Sequence, residues 1–156
     1  STGHALVKKG NLYGEWVDEM SSVKEVSIAT DQGNGPLVGV VTNAGKALVK
    51  TGNLYGEWVE QSSTASSMSL ATDPTNGPLV GLRTTTGKSL VKKNSLSAGW
   101  VEESASSNAF SVATSALSGP FLGLLSSENH ALVKRGTLYG EWTDLFGGIS
   151  SVSIAG

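Results

Sequence analysis

Three stretches of the chain bring together side chains suited to a polyhydroxylated ligand. They are "GNLYGEWV" at 10–17, the same octet at 52–59, and "GTLYGEWT" at 136–143. A tyrosine ring stacks on the apolar face of a sugar, a carboxylate accepts paired hydroxyl hydrogens, and an asparagine both donates and accepts. The candidate ligand-binding residues are therefore Asn11, Tyr13, Glu15 and Trp16, then Asn53, Tyr55, Glu57 and Trp58, then Tyr139, Glu141 and Trp142. A fourth stretch, "NSLSAGWV" at 94–101, keeps Trp100 but has Ser97 and Gly99 where the others have Tyr and Glu. Trp survives in every copy, so we expect it to anchor an outer strand with one edge exposed. Tyr and Glu are dispensable in one copy, which marks them as ligand-binding. The plainer role for them is Tyr packed over Trp and Glu paired with a nearby Lys.

Other chemistry finds little support. His4 and His130 occupy a repeat position that Lys46 and Lys88 fill elsewhere, which points to a solvated polar place and not to a base or metal ligand. The chain has no cysteine, no "GxSxG", no Gly-rich phosphate loop and no zinc-ligand spacing. Asp31 and Asp73 could offer oxygen to calcium, but the third copy of their loop, "TSALSGP", lacks the acid. We read them as closing their own turns. The expectation is a non-enzymatic protein with no catalytic residue, no metal and no cofactor.

The elements that must position these residues follow from a fixed ruler. Trp16, Trp58, Trp100 and Trp142 are each 42 residues apart, "LVK" recurs at the same step, and "VSIATD" returns as "MSLATD", "FSVATS" and "VSIAG". "NGPLVG" recurs twice more as "NGPLVG" and "SGPFLG". The chain is one repeat domain over 1–156, with repeats at 3–44, 45–86, 87–128 and a partial fourth at 129–156. Each repeat divides into short β-rich segments, in the first full set 23–30, 37–42, 46–50 and 57–61, separated by turn signals. Gly45 and Gly87 suit a left-handed turn residue, and Asn129, at their place, is the side-chain-bearing residue that best tolerates it. No segment has a useful helical period.

Four antiparallel strands every 42 residues predict an all-β fold, a β-propeller of four-stranded blades, with a β-trefoil as the alternative. "GKALVKTGNLYGEWVE" and its relatives resemble the tachylectin-2-like propeller lectins, and more closely secreted bacterial repeats of the type "G-x-L-V-K-x-G-x-L-x-x-x-W-V". The resemblance covers the whole chain. It implies that the segment after each Trp loop is the innermost strand, which makes Val26, Ile28, Met68, Leu70, Phe110, Val112, Val152 and Ile154 axial core positions. Lys8, Lys50, Lys92 and Lys134 are expected to meet Asp18, Glu60, Glu102 and Asp144 across adjacent strands.

Charged residues make up 15% of the chain, with a net charge of −2, which gives no electrostatic footprint for nucleic acid. The apolar runs are too short for membrane insertion as helices. The Ser/Thr/Gly-rich, low-lysine composition, without an initiator Met, fits a processed extracellular protein. The functional expectation is lectin-like binding of glycans or glycoconjugates at three similar sites and one degenerate site. The alternative is a structural or protein-interaction propeller, such as a targeting appendage of a secreted enzyme. Counting strands leaves an inner strand at 151–155 and two outer strands near Leu6 and Trp16, with the second strand of that blade missing. We therefore expect either a closing blade one strand short or ends completed by another subunit, so the protein is expected to form a homo-oligomer.

Overall fold

Asn129 adopts φ 64° at the place where Gly45 and Gly87 have φ 82° and 89°, so the hairpin turn expected there is present in all three copies. The same device recurs one turn later. Asn94, at φ 77°, stands where Gly52 has φ 94°, and this lets "NSLSAGWV" start its loop like the other copies. Residues 3–10, 13–31, 35–73 and 77–154 are described by the structure, a computed structural model. Asn11 lies outside them.

Among the described residues the chain is all-β. Strands β3 (Val23–Asp31), β4 (Gly35–Thr42), β5 (Ala47–Thr51) and β6 (Val59–Ser62) form one antiparallel sheet in sequence order. Strands β7 (Ala65–Asp73), β8 (Gly77–Thr84), β9 (Ser89–Lys93) and β10 (Val101–Ser104) form a second. A third contains β11 (Ser107–Ser115), β12 (Gly119–Ser126), β13 (Ala131–Arg135) and β14 (Thr143–Phe146). Strands β1 (His4–Val7) and β2 (Val17–Ser21) pair only with each other. Register repeats with the sequence: Val38 faces Lys50, Val80 faces Lys92, and Leu122 faces Lys134.

Successive sheets pack through a close approach at glycine. A Cβ on Gly39 would lie 2.4 Å from Met68 Cε, and one on Gly81 would lie 2.5 Å from Val112 Cγ1. Only a hydrogen fits, so β7 lies directly on β4 and β11 lies directly on β8. Buried Leu37, Val49, Met68, Leu70 and Leu82 fill the first such interface, and Leu79, Phe110, Val112, Leu122 and Leu138 fill the next. Polar links follow the same step. Ser27 Oγ accepts the Leu70 amide at 3.0 Å and Ser69 Oγ accepts the Val112 amide at 3.1 Å, while Thr72 and Thr114 donate to the carbonyls of Thr30 and Thr72. The ends of β3, β7 and β11, together with Ile154, line one cavity of about 270 Å³.

Two expectations about the ends are corrected. Met68, Leu70, Phe110 and Val112 are buried, but Val26 and Ile28 are 40% and 49% exposed, because among the described residues no strand covers them. Residues 151–154 do not form a strand. They still take the place of one: Ile149 donates its amide to Asn129 O, as Ala65 does to Gly45 O and Ser107 to Gly87 O. Ile154 Cδ1 and Val152 Cγ2 then lie over Gly123 as Leu70 and Met68 lie over Gly39. A segment in the right place but without a pairing neighbour keeps its apolar contacts and loses the ladder.

Candidate functional site

The loop that follows each "LVK" strand is built on a lysine. Lys8, Lys50, Lys92 and Lys134 place Nζ 4.7, 4.7, 4.2 and 4.7 Å from the ring centres of Trp16, Trp58, Trp100 and Trp142, well within cation–π range. Lys50, Lys92 and Lys134 also donate to the carbonyls of Leu54, Leu96 and Leu138, and so fasten the loop to the strand. A short polar side chain closes the turn beyond. Asn53 Oδ1 accepts the Tyr55 amide at 2.8 Å, Ser95 Oγ accepts the Ser97 amide at 3.1 Å, and Thr137 Oγ1 accepts the Tyr139 amide at 3.1 Å. The copy lacking Tyr and Glu is thus folded by the same contacts as its relatives.

The expected lysine pairing is corrected by this arrangement. Each lysine of "LVK" is drawn under its Trp, and the acids two residues past the Trp pair instead with the residue beside the hairpin turn. The contacts are His4–Asp18 at 2.8 Å, Lys46–Glu60 at 3.3 Å, Lys88–Glu102 at 2.8 Å and His130–Asp144 at 2.7 Å, all about half exposed. Such surface pairs contribute about 0–1 kcal/mol each. The buried lysines find acids one repeat earlier: Lys50 meets Glu19, and Lys134 meets Glu103 at 2.6 Å. Gln61 stands at the corresponding place before Lys92, and burial lowers the pKa of that amine below its ordinary value.

With the scaffold accounted for, the remaining candidates point outward. Tyr13, Tyr55 and Tyr139 are 97%, 85% and 80% exposed, and Glu15, Glu57 and Glu141 are also exposed. Trp58, Trp100 and Trp142 pack into the interfaces between sheets, whereas Trp16, with no sheet in front of it among the described residues, is 60% exposed. Asn53 uses its oxygen in the turn, a role that Ser95 and Thr137 fill elsewhere, so its amide hydrogens are what it has left to offer.

The tyrosine and the carboxylate that share a cleft come from different copies. Glu15, with Lys9 and Val17, lines a cleft of about 260 Å³ whose other wall is Asn53, Leu54 and Tyr55 of the next copy. The cleft between the third and fourth copies, about 350 Å³, is lined by Ala98, Gly99 and Trp100 on one side and by Leu138 and Tyr139 on the other. It is larger where Gly99 replaces the carboxylate. Lys9 and Val17 were missed as wall residues because one repeat read alone does not reveal its neighbour. Among the described residues no cluster of His, Cys, Asp or Glu could hold a metal ion.

No protein-family model matches the chain, and no curated protein matches it at a significant level.

Proposed function

We propose that the chain is a non-enzymatic, lectin-like β-propeller that binds carbohydrate in the clefts between successive copies of its repeat. Separate four-stranded sheets in plain sequence order, with their first strands around a common cavity, suit blades about an axis better than a trefoil. The observation that carries the functional reading is the exposure of Tyr55 at 85% on a loop that Lys50, Leu54 and Trp58 already hold in place. An aromatic ring standing in water contributes little to folding, and its face is free to stack on a sugar. Glu15 on the opposite wall accepts hydroxyl hydrogens, and Lys9 donates to ring or hydroxyl oxygens. At about 260 Å³, the cleft falls just below the ~300–1,000 Å³ usual for ligand pockets, which suits a single ring-sized group.

Because each site takes its halves from two copies, the third copy weakens two clefts at once. By the same repeat step Glu57 would be matched with Ser97, and Tyr139 shares its cleft with Gly99. Only the pair Glu15 and Tyr55 is complete between adjacent copies within the chain.

Titration with the best glycan from an array tests this. Tyr55→Ala should weaken binding by roughly 3- to 10-fold, the worth of one aromatic contact, with unchanged thermal unfolding. Glu15→Gln should weaken the same site, and Tyr13→Ala should leave it alone. Glycan binding that ignores Tyr55, or an array with no binder, would overturn the reading.

A further inference from the structure

Two repeat positions set the charge of the cleft that one copy shares with the next. One carries Lys9, Thr51 and Lys93, and the other carries Glu15, Glu57 and Gly99. The cleft between the first two copies therefore holds a balanced pair, Lys9 and Glu15. The cleft between the third and fourth copies holds Lys93 and Gly99, with Tyr139 on its far wall. Lys92 lines it as well, and among the described residues no carboxylate does. The acids nearest in sequence are engaged elsewhere: Glu102 pairs with Lys88 at 2.8 Å, and Glu103 with Lys134 at 2.6 Å. Lys92 Nζ sits 4.2 Å from the Trp100 ring centre and donates to Leu96 O, with Gln61 standing where other copies have Glu19 and Glu103. The side chain of Lys93 is partly exposed and has no hydrogen bond or ion pair among the described residues. Two positive charges without an acid thus meet in one cleft.

We propose that this cleft binds a saccharide bearing an anionic group, a carboxylate or a sulfate ester, with the sugar ring on Tyr139 and the anion on Lys93. The inference rests on the reading that clefts between copies hold sugar, and it adds that this one selects by charge. An ammonium donating to an anion makes a charge-assisted hydrogen bond, stronger than the neutral bonds a hydroxyl can offer. Lys92 adds positive potential from a buried position, where water screens it less. A glutamate at position 99 would repel such a ligand, and Gly99 removes that repulsion. The cleft is also about 350 Å³ against about 260 Å³, which leaves room for the extra group. The exchange that weakens this cleft for a neutral sugar therefore suits it to an acidic one.

The probe is an array of neutral glycans printed beside their sialic acid-, uronate- and sulfate-bearing counterparts, read with the full chain. Acidic members should bind, and which of them bind separates carboxylate from sulfate recognition. Lys93→Gln should weaken them about 3- to 10-fold, as should Tyr139→Ala, with neutral binding through Tyr55 unchanged. Arg135→Gln removes the same charge from an exposed position outside the cleft and should leave acidic binding as it was. A Cβ on Gly99 meets nothing within 4 Å, so Gly99→Glu fits without strain. That variant should lose acidic glycans by about tenfold or more and gain neutral ones. Acidic binding that ignores Gly99→Glu, or that falls as far with Arg135→Gln as with Lys93→Gln, would overturn the proposal. Neutral binding through Tyr55 with no acidic binder would overturn it and spare the lectin reading. An array with no binder of either kind would overturn both.

Discussion

At the residue scale, the copies differ in how they neutralise a buried lysine. Lys50 and Glu19 have side chains 3% and 2% exposed, and Lys134 and Glu103 are 7% and 1% exposed. Lys92 keeps the Trp100 face and the Leu96 carbonyl, but the residue one repeat earlier is Gln61, whose buried Oε1 has no hydrogen-bond partner. Desolvation lowers the Lys92 pKa in the folded chain, so the unfolded chain binds that proton more tightly. The charge therefore costs stability at neutral pH, and the cost fades as pH rises from the lowered value toward 10.5. Gln61→Glu supplies the missing acid. It should stabilise the chain by about 1 kcal/mol near neutral pH, and the gain should shrink as Lys92 deprotonates. Urea unfolding of both proteins at neutral and strongly basic pH measures this. No gain at neutral pH would show that Gln61 and Lys92 do not share the geometry of their counterparts.

At the element scale, the second glycine of "GPLVG" sets the distance between sheets. Gly81 faces Val112, whose stiff β-branched side chain cannot turn away, while Gly39 faces the flexible ends of Met68 and Leu70. Gly81→Ala should destabilise by about 1–3 kcal/mol, and Gly39→Ala by clearly less. Denaturant midpoints compare the two, and equal losses would contradict the side-chain account. Turn chemistry made the strands readable in advance: Asn129 and the Gly45 position marked the hairpins. What could not be read was anything that depends on a neighbour one repeat away. The reason for Gly39 lies in Met68, and the reason for Ser27 lies in the Leu70 amide. Val26 and Ile28 match Met68 and Leu70 in type, and what tells them apart is that no described residue covers them.

At the scale of the whole molecule, the repeated Tyr and Glu could be picked out in the sequence as residue types, but the cleft that Glu15 and Tyr55 share could not. Tyr13 and Glu15 lie two residues apart, which invites an in-copy site. The cleft in the structure instead joins Glu15 to Tyr55. The three tyrosines are exposed, and a side chain outside the packing can vary, as it does at Ser97, without unfolding the loop. We propose carbohydrate sites shared between two copies, and binding stoichiometry distinguishes them from sites within one copy. Ser97→Tyr and Gly99→Glu, introduced together, restore the motif in the third copy. Shared sites predict that calorimetric titration with the bound glycan gains two sites per chain, Glu57 meeting one new partner and Tyr139 the other. A gain of one site would place each site within a single copy, and no gain would remove Tyr and Glu from the binding surface.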